Sequence, residues 1–279
     1  MQWQVAIPLV NSLNISSTLH CFAIIYNTKG KNMAEKQPHI RLTKEDAAKY
    51  VILPGDPKRI DHIKTFLTDA KELAYNREIR SVSGYYKGVK VLAVSTGMGG
   101  ASTGIVVEEL KNIGVDTFIR IGSCGALSTK IKLGDLILVN GVVRDEGTSK
   151  AYIESIYPAI PDTQLLITTI HAAKANNISH FVGMARSHDS FYTDKEDEID
   201  DYWSKKGVLG ADMESAALFV IGSLRGLKCA SILNTVVEYQ QDLNENINEY
   251  VDGESIVKKG EANEIITALE AFVIQKNEK

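Results

Sequence analysis

An α/β fold, with a central sheet covered by helices on both faces, is predicted by two features of the chain. Short apolar runs rich in β-branched residues alternate with longer segments whose apolar residues recur at helical spacing. The turns between them are rich in glycine, at Gly55-Asp56-Pro57, Thr96-Gly97-Met98-Gly99-Gly100 and Gly122-Ser123-Cys124-Gly125. Composition agrees: 279 residues, 44% hydrophobic and 24% charged, describe an ordinary globular protein with a sizeable core. Net charge is −4 and no basic block stands out, which argues against nucleic acid or an anionic membrane as the main partner. Any anion site must therefore be local. Cys21, Cys124 and Cys229 are odd in number and lack metal-ligand spacing, as expected of reduced thiols in the cytoplasm.

Taken in order, residues 1–36 mix Asn, Ser and Thr with one apolar piece at 21–26 that is too short to span a bilayer. They are expected to form an N-terminal extension outside the fold, leaving one domain over 37–279. The run Y-V-I-L-P at 50–54 reads as a strand, and Pro57 pre-sets the backbone for a helix over 58–67 that opens beside Arg59. Residues 73–87 alternate as a β-segment carrying Arg77 and Glu78, Lys87-Gly88 makes a hairpin turn, and 89–95 is a buried strand. A helix is expected over 101–112 and strands over 117–121 and 135–139. A helix over 162–176, a strand over 181–185, a helix over 214–225, a strand over 228–236 and a long helix over 254–275 complete the pattern.

The chemistry gathers at the carboxyl ends of these strands, where ligands sit in open α/β sheets. Arg120 closes the run T-F-I-R-I, and a guanidinium there needs an anion. The following turn offers backbone N–H groups and the Ser123 hydroxyl, which suits a phosphate or sugar phosphate. The alternative is a structural turn with Arg120 paired to an internal carboxylate. Arg59 at a helix start is a second anion candidate. The glycines at 97, 99 and 100 let backbone approach a ligand closely, although the run is not a dinucleotide fingerprint. The acidic run D-K-E-D-E-I-D-D at 194–201 reads as a solvated helix face, yet its Lys195 follows aromatics just after a strand end. Glu214 opens an apolar helix, where it either complements the helix dipole or accepts hydrogen bonds from vicinal sugar hydroxyls.

Five stretches in this order resemble the nucleoside phosphorylase family, which includes uridine phosphorylases and hexameric purine nucleoside phosphorylases. They are G-D-P-x-R at 55–59, N-R-E at 76–78, S-T-G-M-G-G at 95–100, R-I-G-S-C-G-A at 120–126 and M-E-S-A at 213–216. The resemblance covers nearly everything after residue 37. Within the family it is nearest the bacterial-type uridine phosphorylases with F-Y-T-D-K in the base-binding segment. It implies a three-layer α/β/α domain whose mixed central sheet is partly barrel-like.

It also implies roles. Gly55, Arg59, Arg120 and Ser123 would bind phosphate, with Arg77 reaching it from a neighbouring subunit. Met213 and Glu214 would hold the ribose, and His39 in P-H-I-R-L would touch its 5′-hydroxyl across the same interface. Phe191, Lys195 and Val236 would face the base. Arg120, Lys195 and Glu214 would carry the catalysis, with Lys195 meeting the charge on departing uracil. Glu78, Met98 and Ser102 match the place where some relatives bind a monovalent cation such as K⁺. The implied enzyme is a pentosyltransferase that acts on nucleoside and phosphate without an organic cofactor, as a homo-oligomer built as a hexamer, a trimer of dimers with shared active sites. Departures fall at the base: the glutamine and arginine of well-known uridine phosphorylases align with Lys195 and Asp197. Purine relatives carry an aspartate where this chain has Glu238, so a purine phosphorylase with Glu238 as acid stands as the alternative. A nucleosidase and a non-catalytic nucleoside-binding member are the remaining readings.

Overall fold

The computed structural model describes residues 36–240 and 255–277; the expected extension, apart from Lys36, lies outside the described residues. β1 (Tyr50–Pro54) is buried at all five positions and is flanked in parallel by β4 (Val89–Val94) and β5 (Thr117–Ala126). β2 (Thr68–Asn76) and β3 (Ile79–Tyr86) extend the sheet beyond β4 as antiparallel strands. On the other side come β6 (Leu136–Asp145), β7 (His180–His188), β8 (Gly210–Asp212) and β9 (Lys228–Val237). The strand order is β2-β3-β4-β1-β5-β8-β7-β6-β9, and β9 pairs back onto β5. Five strands, β5, β8, β7, β6 and β9, thus close on one another, and the mixed, partly barrel-like sheet that the family resemblance implied is present.

Side-chain alternation divides the core in two. Val51, Leu53 and Phe118 point to the face covered by α2 (Gly100–Ile113) and α6 (Ser215–Leu224). Tyr50, Ile52, Ile119 and Ile121 point to the other face, packed by α1 (Arg59–Lys64), α4 (Thr163–Ala175) and α7 (Ser255–Asn277). α6 is buried from Ser215 to Gly222, as an A-A-L-F-V-I sequence with no polar face requires. Asp162 caps α4 by accepting from the Leu165 N–H at 2.8 Å. Two short helices, α3 (Thr148–Tyr152) and α5 (Glu196–Ser204), complete the set; α5 is the acidic run. Among the described residues no helix is long and apolar enough to cross a membrane.

Three expectations change. The helix at 58–67 is one short piece, because Thr65 Oγ1 bonds the His62 carbonyl at 2.7 Å as the chain leaves it. The β-segment over 73–87 is two strands: Asn76 pairs with Ile79 around a tight turn, with Arg77 at φ 55°. The glycine-rich stretch after Ile121 is not a turn, since β5 continues through it. Gly122, Ser123 and Cys124 pair in parallel with Leu233, Asn234 and Thr235 of β9. Pairing with β9 outweighs the weak strand propensity of glycine.

Candidate active site

Arg120 is almost fully buried near the middle of β5, on the α6 side. Its Nε donates to Asp212 Oδ2 at 3.0 Å and its Nη2 to Glu214 Oε2 at 2.5 Å. Burial opposes its charge, but Glu214 and Asp212 together outweigh that and hold the guanidinium above its usual range. Nη1 has no hydrogen-bond partner among the described residues. A buried, unsatisfied cationic N–H is costly, and the residue that carries it lines a cavity. Asp212 is saturated: it also accepts from Ser187 Oγ at 2.5 Å, from Ser215 Oγ at 2.6 Å and from the Ser215 N–H at 3.0 Å. Its task is to orient. Glu214 also accepts from the Gly99 N–H at 2.6 Å and the Met213 N–H at 3.2 Å; burial pushes its carboxyl up, with Arg120 opposing.

Arg59, the first residue of α1, comes from the other face of the sheet and is equally buried. Its Nη2 donates to Ser123 Oγ at 2.7 Å and its Nη1 to Glu264 Oε2 at 3.3 Å, while Glu261 lies 3.6 Å from Nε. Glu264, fully buried on α7, also accepts the Gly122 N–H at 2.8 Å, so the C-terminal helix pins both the arginine and the strand. Glycine is required at 122 because a Cβ would fall 2.3 Å from Arg120 Nη2. It is required at 97 by φ +73° and by a Cβ position 2.4 Å from Glu78 Cγ.

The cavity between these groups has a volume of about 680 Å³. Arg59, Arg120, Ser123, Asp212 and Glu214 make it polar at one part of its wall, and Met98, Phe191, Met213, Val236 and Val237 make it apolar elsewhere. Residues 49–268 match the model of the Phosphorylase superfamily. The chain belongs to that superfamily. A uridine phosphorylase of Thermococcus kodakarensis is 40% identical over 217 residues, 72% of this chain and 78% of that protein. A guanosine phosphorylase of Halorubrum lacusprofundi is 39% identical over 197 residues, 71% of this chain and 81% of that protein. The crystal structure of a uridine phosphorylase from Vibrio fischeri superposes with a TM-score of 0.82 at 46% identity, covering 88% of this chain and all of that one.

Of the residues singled out in the sequence, this phosphorylase-superfamily chain brings Gly55, Arg59, Glu78, Met98, Arg120, Ser123, Phe191, Met213, Glu214 and Val236 to one cavity. Five others lie elsewhere. Arg77 is exposed at the β2–β3 turn, outside the cavity lining. His39 gives its Nδ1 to Glu109 at 2.6 Å and borders a separate groove of about 480 Å³ with Ala101, Gly104 and Tyr152. Ser102 donates to the Met98 carbonyl at 2.9 Å, next to the cavity rather than in its wall. Lys195 does not reach the cavity in this chain: it is exposed at the N-cap of α5. Buried Arg186 fixes that helix through Glu196 at 2.9 Å and Asp200 at 3.3 Å, which leaves the lysine on its outer side. Glu238 is also outside the wall; Lys132 at 2.9 Å keeps its carboxyl below the usual range, an unsuitable state for a general acid.

Asp212, Glu264 and His188 belong to the site and were not singled out. Asp212 stands directly before M-E-S-A, which was the available signal; Glu264 has none in its neighbourhood on a long helix. Burial raises the Glu264 carboxyl from 4.5 to about 8, against the pull of Arg59. The unfolded chain therefore releases this proton near pH 4.5 while the folded chain keeps it, so the group removes stability as pH rises through that window and adds no further slope above about 8. Glu264→Gln is expected to flatten the pH dependence of thermal stability by up to ~1.4 kcal/mol per pH unit there. Melting temperatures of both proteins across the window check this; parallel curves would contradict it.

Proposed function

We propose that this chain is a uridine phosphorylase: uridine or 2′-deoxyuridine and phosphate give uracil and the pentose 1-phosphate, reversibly. The observation that carries the reading is the pair of buried arginines beside Ser123, one with an unsatisfied N–H, in a cavity shared with Glu214. Arg59, Arg120, Ser123 and Gly55 hold phosphate, and Glu214 with Met213 holds the ribose. Cleavage sends the C1′–N1 electron pair to the base nitrogen and leaves positive charge on the sugar. A phosphate oxygen forms the new bond to C1′, and the nearby anions, phosphate and Glu214, stabilise the charge as it develops. Inorganic phosphate is a co-substrate, and the reaction calls for no organic cofactor. The pyrimidine choice is supported by the relatives named uridine phosphorylase and by Glu238, whose pairing with Lys132 leaves a purine ring without its acid.

The same reading places Arg77 and His39 in a neighbour's site, in a hexamer built as a trimer of dimers that serves pyrimidine salvage in the cytoplasm. Both side chains lie outside their own chain's cavity, as that arrangement needs. A K⁺ at Glu78, Met98 and Ser102 would belong to this interface. The set supplies oxygen atoms suited to a hard cation, and its Ser102 hydroxyl and Met98 carbonyl lie 2.9 Å apart. Mixing inactive Arg77→Ala and Glu214→Ala subunits under exchange conditions is expected to restore part of the activity. No recovery despite demonstrated exchange would remove the shared site.

Base release from uridine, 2′-deoxyuridine, inosine and guanosine, with and without phosphate, tests the function itself. Phosphate-dependent turnover with uridine ahead of inosine and guanosine is expected. Preference for either purine would establish the purine alternative, which the guanosine phosphorylase relative keeps in view. Release without phosphate would establish a nucleosidase.

A further inference from the structure

Three side chains in the cavity wall carry nitrogen: Arg59, Arg120 and His188. The arginines are committed to carboxylates and to Ser123, whereas His188 has no part in the chemistry above. It ends β7 with only 7% of its surface exposed. Its Nδ1 lies 2.9 Å from the Ser190 carbonyl oxygen. A carbonyl only accepts, so Nδ1 carries a proton and the ring's orientation is set. Nε2 has no protein partner among the described residues and is the ring nitrogen left to a ligand. Phe191, three residues on, lines the same cavity.

Resting on the uridine phosphorylase reading, we infer that His188 is the base-contacting residue and acts as an imidazolium: its Nδ1–H stays on the Ser190 carbonyl and its Nε2–H donates to a carbonyl oxygen of the departing uracil. When the C1′–N1 bond breaks, the electron pair left on N1 spreads to O2 and O4, and a donor there strengthens its contact as the charge grows. Lys195, the sequence candidate for this task, is exposed outside the wall. Positive charge on the His188 ring has counter-charges on α5: Glu196 Oε1 lies 3.8 Å from Nδ1, and Asp200 belongs to the same cluster, with Arg186 between them as the competing cation. The base leaves as an anion and takes its proton from water, so no proton transfer from the ring is required. Placement is shared with the phosphate site. Ser187, the preceding residue, bonds Asp212, the carboxylate that orients Arg120. One buried carboxylate therefore sets the distance between the group that presents the nucleophile and the group that meets the leaving base.

Steady-state kinetics of the parent, His188→Leu and His188→Gln on uridine and 5-fluorouridine test this. The fluorinated base is the more stable anion and depends less on a donor. His188→Leu is expected to lose roughly 10²–10³-fold in kcat on uridine, the usual effect of removing one such donor, and distinctly less on 5-fluorouridine, with KM for phosphate unchanged. His188→Gln, which keeps a neutral donor of similar size, is expected to fall between Leu and parent. It also keeps the test open where thermal melts show the leucine variant unstable. Parental kcat in both variants, or equal losses on the two substrates, overturns the inference while the reaction stands. Absence of uridine turnover in the parent overturns the reaction reading, and the inference with it.

Discussion

Arg120→Ala is expected to abolish phosphorolysis and to lower the melting temperature as well. The side chain holds the buried carboxylates of Asp212 and Glu214, and deleting one partner of a buried charge pair typically costs 3–5 kcal/mol because the other charge stays behind. The cost should fall toward the lower end, since Asp212 keeps the Ser187 and Ser215 donors and Glu214 keeps two backbone N–H groups. Loss of folding stability alone would not separate a structural from a catalytic arginine. Arg120→Lys separates them: it retains a positive charge beside Asp212 but not the forked geometry that leaves Nη1 for phosphate. A folded lysine variant with KM for phosphate raised at least ~10-fold, from loss of about 1.5–3 kcal/mol of charge-assisted bonding, is the expected result. Parental KM for phosphate and parental kcat in that variant would contradict the anion subsite.

Glu214→Gln should discriminate between sugars. A hydrogen bond to a carboxylate contributes about 1.5–3 kcal/mol, roughly 1 kcal/mol more than one to a neutral acceptor. Uridine offers two vicinal hydroxyls and 2′-deoxyuridine one. The variant is therefore expected to lose ~10-fold or more in kcat/KM on uridine and distinctly less on 2′-deoxyuridine, so that the preference between them narrows. An equal loss on both would mean that Glu214 acts through Arg120, its partner at 2.5 Å, and not on the ribose.

Local pattern sufficed for the alternation of strands and helices, for the burial of β1 and for the hairpin turn at Lys87-Gly88, where both residues have positive φ. It failed at β5, whose glycines read as a turn in isolation and are strand because β9 pairs with them. The site shows the same division. Arg59 and Glu214 were legible because each sits at a helix start that periodicity locates, and Arg120 and Ser123 because a charge and a hydroxyl interrupt an apolar, glycine-rich run. The groups that fix them come from far along the chain: Asp212 is 92 residues from Arg120, and Glu264 is 205 residues from Arg59. No window of sequence holds both members. Lys195 shows the opposite error. A lone lysine in an acidic run near aromatics suggests a site, yet which side of α5 faces inward is decided by Arg186 on a neighbouring strand.

Phosphorus NMR of the protein with uridine and inorganic phosphate tests most directly whether phosphate is the nucleophile. A ribose 1-phosphate signal is expected to grow in equal measure with free uracil while inorganic phosphate declines by the same amount, and Arg120→Ala is expected to give neither product. Uracil released with the phosphate signal unchanged would make water the nucleophile and contradict the assignment of Arg59, Arg120 and Ser123 to phosphate.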